Sequence, residues 1–258
     1  MNGVFYIGAT GLDAQQRGLE IVANNIANLN TPTFKQSHAQ FSQIMAAAPI
    51  RNTEANNSTV AVSPVFLGVK MDAAPVDFTQ GTLTETGSAL DVAINGTGFM
   101  ELMGPGGQTV LWRGGTLKVN ADGYLAAANG MPLQPMISVP RDATSLNIAN
   151  DGKVTVLVDG SAEAMMIGQI SLVQDVSPAS LTAMNGGVYL PATENDLMHS
   201  VPGEDGAGLL AQGFVETSNV DLAKEMVSLL MLQRTYSANA QVVQAGDQLM
   251  SIANELKR

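Results

Sequence analysis

An α+β architecture is predicted from a contrast between the two ends of the chain and its middle. At each end apolar residues recur every seven positions, the mark of a helix with a narrow apolar seam. Between them, roughly from 36 to 215, lie ten of the eleven prolines and short β-type runs separated by turn dipeptides. The expected molecule has a helical coiled-coil domain assembled from both termini (1–35 and 216–258), a connector (36–75) and a mainly β central domain (76–215).

The first helix is read from Phe5, Leu12, Leu19 and Ile26, with Val22 and Leu29 in the offset positions of the same stripe. It ends in an unusual run, ANNIANLNTPTFK (23–35), which carries Asn24, Asn25, Asn28 and Asn30. Asparagine competes for backbone hydrogen bonds and is a mediocre helix former, so these amides are expected where the helix ends and the chain turns away. Pro32 enforces that exit.

Residues 46–64 (AAAPIRNTEANNSTVAVSP) are small, polar and aperiodic, which reads as an extended connector or mobile loop. The β domain follows from Asp-Gly at 122, 151, 159 and 205 and Asn-Gly at 95, 129 and 185, pairs that tolerate positive φ in tight turns. Strands are expected at 90–94, 109–112, 146–148, 154–158 and 167–173.

The last helix is read from Leu222, Leu229, Tyr236, Val243 and Met250, joined by Met226 and Ala240. Ser218 or Asn219 is the expected cap, Asp221 stands in the first turn, and Lys257 and Arg258 complement the dipole at the far end. No proline interrupts residues 203–258. A narrow seam asks for a partner helix. The other terminus can supply one, parallel or antiparallel, or both helices can pack flat on the β domain. Two helices alone bury little in water, so other chains are expected to complete the seams.

The 258 residues carry a net charge of −11 with a pI near 4.4, which disfavours nucleic acid and anionic membranes as partners. There are no cysteines, so disulfides, thiolate nucleophiles and Cys-based zinc sites are excluded. The N-terminus lacks the basic and apolar regions of a cleaved signal, and no apolar run is long enough to span a membrane. Packed acidic subunits repel, so assembly is expected to become easier as salt rises from low values.

Catalytic patterns are absent. His38 and His199 have no ligand at metal spacing, GPGG (104–107) lacks the Lys-Ser or Lys-Thr of a phosphate loop, and no G-x-S-x-G elbow occurs. NADGY (120–124) and ANDGK (149–153) lack the acidic series of a calcium loop and read as turns. The expectation is a protein that is not an enzyme and uses no cofactor or metal. Its fourteen methionines include Met226, Met231 and Met250 in the last helix, either filling core gaps or forming an adaptable contact surface.

GLDAQQRGLEIVANNIANLNTPTFK (11–35) resembles the N-terminal motif of bacterial flagellar rod and hook proteins. GFVETSNVDLAKEMVSLLMLQRTYSANAQVV (213–243) is similar to the matching C-terminal motif, and LDVAINGTGFMEL (90–102) with RGGTLKVNADGYLAAANGMPLQP (113–135) resembles the family's β signature. Further likenesses at 10–16, 135–156 and 206–220 point to the distal rod, with proximal rod or hook subunits as the alternative. One departure is visible: Thr33 stands where the family motif usually has glycine, so that turn is either extended here or strained.

The resemblance implies a structural subunit exported unfolded by the flagellar type III apparatus without a cleaved signal. It implies polymerisation into a helical tube, a drive shaft and export channel crossing the periplasm. Expected partners are further copies of the chain, proximal rod proteins, the hook protein, and the peptidoglycan and outer-membrane ring proteins. The expected subunit interface comprises Leu12, Leu19, Val22, Asn24, Asn25, Ile26, Asn28 and Phe34 at one end. At the other it comprises Leu222, Met226, Leu229, Tyr236, Val243 and Met250. Outside this reading, a monomeric secreted binding module and a periplasmic hydrolase are the rival classes.

Overall fold

A computed structural model describes the backbone of residues 2–48, 63–72, 74–159, 163–176, 178–184 and 186–255, and the side chains of these except 2–5, 46–48, 63–67, 179, 194 and 253–254. A helix stands near each end, α1 at Asn2–Ala27 and α2 at Leu222–Glu255, and the region between them is mainly β. Phe5 of the first apolar row, the middle of the 46–64 stretch, and Lys257 and Arg258 lie outside the described side chains. The chain divides into two compact units. The first holds Met1–Ala27, Ser37–Pro75 and Asp221–Arg258; the second holds Asn28–Gln36 and Val76–Val220.

In the first unit, residues expected to be an extended connector instead pair as strands. β1 (Phe41–Ala48) runs antiparallel to β2 (Ser63–Met71), with a bulge between Ile44 and Met45. Backbone bonds Asp72 N to Gln40 O and His38 N to Pro75 O, both 3.0 Å, carry the pairing past its open end. Small and polar residues hid this ladder because its partners are joined through a long intervening segment rather than a two-residue turn.

The second unit contains a seven-stranded sheet in which Phe99–Met103 and Thr109–Trp112 are central neighbours, and Leu172–Asp175 lies on the other side of Phe99–Met103. A four-stranded sheet orders Leu209–Gln212, Asp91–Asn95, Gly114–Val119 and Leu125–Ala127. Ala143–Ile148, Lys153–Val158 and Met165–Gln169 form a third sheet, and Phe214–Glu216 pairs with Leu83–Glu85. Every described pairing is antiparallel.

Successive residues of the central strands alternate between two cores, as the period of two requires. Met100, Leu102, Val110, Trp112 and Leu172 join the larger one. Phe99, Leu111, Val173 and Tyr189 join a smaller one, where Phe78 meets Phe99 and Tyr189 edge-on at 5.3 and 5.0 Å between centroids. Hence apolar residues stand side by side in these runs rather than strictly alternating, with Glu101 a buried charged exception. The run 167–173, expected as one strand, is two. Met165–Gln169 ends against Lys153–Val158, Ile170 donates its N–H to Gly152 O (2.8 Å), and Leu172–Asp175 joins a different sheet.

Turns occur at the Asp-Gly and Asn-Gly pairs beginning at 122, 129, 151 and 205, Asn95-Gly96 is a strand end and bend, and the pairs at 159 and 185 include residues outside the described ones. Asn120 Oδ1 accepts from the amides of Asp122 and Tyr124, and Asn129 Oδ1 accepts from Met131 N, so the side chain satisfies the turn's own backbone.

Candidate assembly surface

Within the first unit α1 and α2 lie against each other with opposite chain directions. A Cβ placed on Gly8 would come within 2.5 Å of Val243 Cγ2, one on Gly11 within 3.0 Å of Asn239 Nδ2, and one on Gly18 within 3.3 Å of Leu232 Cδ2. Numbers rise along one helix as they fall along the other. The approach is made at glycines, Gly11 and Gly18 buried and Gly8 half-buried, and Ala14, Val22 and Asn25 are the other buried residues of α1. Leu12, Leu19 and Ile26, the predicted seam, flank that face and are only half-buried. Large side chains at the crossing would hold the backbones apart, and missing side chains leave no hydrophobic signal to read.

On α2 the row of sevens behaves as a straight helix dictates. At 3.6 residues per turn, a seven-residue repeat drifts by about 20° per step, or roughly 80° from Leu222 to Met250. Leu222, Met226 and Tyr236 are exposed, Leu229 and Met250 are half-buried, and Val243 has turned toward Gly8 of α1. The inward residues at the start of α2 are Glu225, Ser228 and Leu232. A second apolar row remains on the outside: Val227 is 57% exposed, Leu230 51%, Met231 65% and Leu249 65%. Soluble monomers rarely leave contiguous apolar patches beyond about 300–600 Å² unless something binds there.

The asparagines divide by role. Asn25 is buried, donates from Nδ2 to Ser37 O (2.8 Å) and accepts at Oδ1 from Ser37 N (3.1 Å). Both ends of its amide are thus engaged within the chain, clamping the strand-leading segment to the end of α1. Asn28 accepts Thr31 Oγ1 (3.1 Å) and its carbonyl accepts Thr31 N (3.0 Å), closing the turn after the helix. Asn24 is exposed on the last turn of α1. Neither Ser218 nor Asn219 caps α2. Asp221 does, its Oδ1 accepting from Ala223 N (3.0 Å) and Lys224 N (3.4 Å), and those amides hold its carboxyl below the usual aspartate range. Asn219 instead bonds inside the second unit, from Nδ2 to Asp77 O (2.9 Å) and at Oδ1 from Gln36 N (2.8 Å).

The segment following α1 is bound into the second unit by chemistry the sequence did not advertise. Thr33 adopts the strained alternative, φ 60°, and its amide donates to Glu216 O (2.8 Å). Phe34, named as an interface residue, is half-buried here, its amide donating to Thr31 O (3.3 Å). Lys35 Nζ donates to Glu216 Oε1 (2.6 Å) and Thr79 O (2.7 Å). Arg113 Nε donates to Glu216 Oε2 (3.2 Å), and its terminal nitrogens donate to Gly98 O and Gly96 O. Gly81 N completes the Glu216 shell at 2.8 Å. Glu216 is 0% exposed, and burial pushes the Lys35 ammonium below the usual lysine range against the pull of Glu216. Tyr189, in the aromatic cluster on which the Arg113 guanidinium also lies, is pushed up to about 12 by burial. Lys35, Arg113 and Glu216 each lie in one of the stretches that carry the resemblance, but nothing local says that they pair, which takes the fold.

Two helical ends with an apolar outer face, and a β body between them, match known proteins along the whole chain. The family described as "Flagella basal body rod protein" matches residues 5–35, "Flagellar hook protein FlgE/F/G D1 domain" matches 93–156, and "Flagellar basal body rod FlgEFG protein C-terminal" matches 211–256. The flagellar basal-body rod protein FlgG of Buchnera aphidicola from Acyrthosiphon pisum is 35% identical over 256 residues, covering 97% of this chain and 98% of that one. FlgG of Agrobacterium fabrum is 34% identical over 255 residues, with 96% and 97% covered. FlgG of Borreliella burgdorferi is 33% identical over 264 residues, with both chains fully covered.

The chain belongs to the flagellar basal-body rod protein family. It is a structural rod subunit of the basal body, and within the family it is similar to FlgG. For a rod subunit, the candidate site is a contact surface. The candidate surface combines the exposed row of α2 (Val227, Leu230, Met231, Leu249) with Leu222, Met226 and Tyr236 from the predicted set.

Proposed function

We propose that the chain is the distal rod subunit and polymerises into a helical tube crossing the periplasm as drive shaft and export channel. In this reading α1 and α2 pair as a short antiparallel coiled coil and the outer row of α2 packs on neighbouring copies. Further partners are proximal rod proteins, the hook protein and the ring proteins around the shaft. Export runs through the type III apparatus without a cleaved signal, and the chain performs no catalysis.

The carrying observation is the outer face of α2. Burying one fully exposed leucine or methionine contributes about 1.5–3 kcal/mol, so several such residues per copy supply a strong drive toward association. The row runs along one side of a long helix, which suits contacts that are heterologous and leave an open end for the next subunit. Two contacts per copy, repeated along a shaft, also resist bending and twisting better than single joints.

The test replaces Leu230 and Met231 together with aspartate in cells that lack their own copy. The expected result is a chain exported and folded in its β unit, but no completed rod and no swimming. Normal rods in that double variant would remove the outer face of α2 from the assembly.

A further inference from the structure

The first unit contains a groove of about 280 Å³ whose lining includes Val22, Phe41, Leu232 and Glu225. Ser37, His38 and Ser228 also line it and Met231 stands at its edge, so the lining is mixed, and one polar group is anomalous. Glu225 is 6% exposed, yet its Oε2 has no hydrogen-bond partner among the described residues. A buried carboxylate oxygen left without a donor costs several kcal/mol relative to a satisfied one. Its place in the first turn of α2 lets the helix dipole offset part of that cost, but supplies no donor. The groove is smaller than the roughly 300–1,000 Å³ of small-molecule sites and suits one or two protein side chains.

The chain itself carries a matching group. Arg17, Lys70, Lys153 and Lys224 are paired with Asp13, Asp72, Asp151 and Asp221. Arg234 is exposed on α2 and forms no ion pair among the described residues. It continues the outer apolar row, one turn beyond Leu230 and Met231. Arg141 and Lys118 also form no ion pair among these residues, but Arg141 lines a polar loop pocket and Lys118 Nζ donates to Ala128 O (2.7 Å) in the second unit. Glu225 and Arg234 are nine residues apart, which at about 100° per residue places them on opposite sides of one helix.

We propose that the groove receives α2 of a second copy, with Arg234 of that copy hydrogen-bonded to Glu225 and its neighbouring apolar residues seated against Val22, Phe41 and Leu232. The proposal rests on the rod reading and names the contact. Because donor and acceptor lie on opposite faces of one helix, each copy offers an acceptor on one side and a donor on the other. The contact is heterologous, does not close on itself, and generates an open filament. A guanidinium is the fitting donor because it reaches a buried carboxylate with two parallel N–H groups on a long apolar stem.

The chain has no cysteine, so introduced pairs can be read without background. Basal bodies are isolated from cells expressing Glu225→Cys, Arg234→Cys, the two variants together in one cell, or the double variant in one chain, and are oxidised. The expected pattern is a ladder from the double variant, a single dimer band from the co-expressed singles, and no band from either single. A dimer from Arg234→Cys alone means a symmetric contact and overturns the proposal. So do completed rods that show no cross-link, although these leave the rod reading standing. Should the Glu225 variant fail to fold, Arg234→Glu and Arg234→Lys decide the matter. Swimming is lost with Glu and kept with Lys if the pair forms, and equal swimming in both overturns it. A wild-type chain that never enters a basal body overturns both the contact and the rod reading.

Discussion

Replacing Glu216 with glutamine removes one negative charge from a fully buried cluster while preserving its volume. Among the described residues Glu216 is the only anion hydrogen-bonded to Lys35 and Arg113, and its two oxygens accept from Lys35 Nζ, Gly81 N and Arg113 Nε. Glutamine keeps one acceptor and turns the other into a donor, which then faces either the ammonium or the guanidinium. Two cations are left buried without a counter-charge. Removing one partner of a buried pair costs about 3–5 kcal/mol, far more than the pair's net worth against an apolar replacement. For a unit the size of the second one, each kcal/mol shifts Tm by roughly 2–4 °C, so a drop of about 6–20 °C is expected. The assay is thermal unfolding of the purified chain followed by the β-sheet circular dichroism signal. Lys35→Met combined with Glu216→Gln is expected to recover part of the loss, because one orphaned cation is gone. A Glu216→Gln variant within 2 °C of wild type would refute the claim that this cluster holds the β unit's entering and leaving strands together.

Other substitutions give smaller, signed effects. Thr33→Gly relieves a left-handed β-branched residue, about 1–2 kcal/mol, against a glycine entropy cost of about 0.5–1 kcal/mol, so urea unfolding is expected to show stability unchanged or raised by up to about 1.5 kcal/mol. A clear loss would show that the Thr33 Oγ1 to Pro32 O bond matters more than the backbone strain. Asn25→Leu strands both backbone groups of Ser37 and is expected to destabilise the first unit by about 2–4 kcal/mol, taking about 1–2 kcal/mol per group; wild-type hydrogen exchange at Ser37 would contradict the clamp. Asp221 has a carboxyl whose folded pKa lies below its unfolded value of 3.8, so its cap contribution is present above pH 3.8 and is lost as pH falls through the lower folded value. The helical signal should therefore fall in that window in wild type and show less of this acid dependence in Asp221→Asn.

Much of the architecture was legible because its signals are local. Asp-Gly and Asn-Gly turns announce themselves within two residues, and the two helices announce themselves by apolar spacing. The contact faces were less legible. A strict row of sevens was followed down α2 although a straight helix rotates that row away, so Leu222 and Met226 came out exposed while Ser228 and Leu232 turned inward. On α1 the close approach is made at Gly8, Gly11 and Gly18, residues that hydropathy cannot register. Glycines at intervals of three and seven along one helix were the available signal. The Lys35–Glu216–Arg113 cluster was out of reach, since partners 181 and 103 residues apart in sequence have no local signature. The strand β1 was missed for a different reason: its alanine-rich end is a weak strand former, and its pairing with β2 is what holds it.

The central claim is that the outer face of α2 is open in a single copy and covered in the rod. A cysteine placed at Val227, on a chain with none of its own, reports this directly through its rate of maleimide labelling. Rapid labelling of the dilute purified chain and protection of the same residue in isolated basal bodies is the predicted result. Equal labelling in both would show that α2 faces solvent in the assembled rod, and the assignment of this surface to subunit contacts would fall.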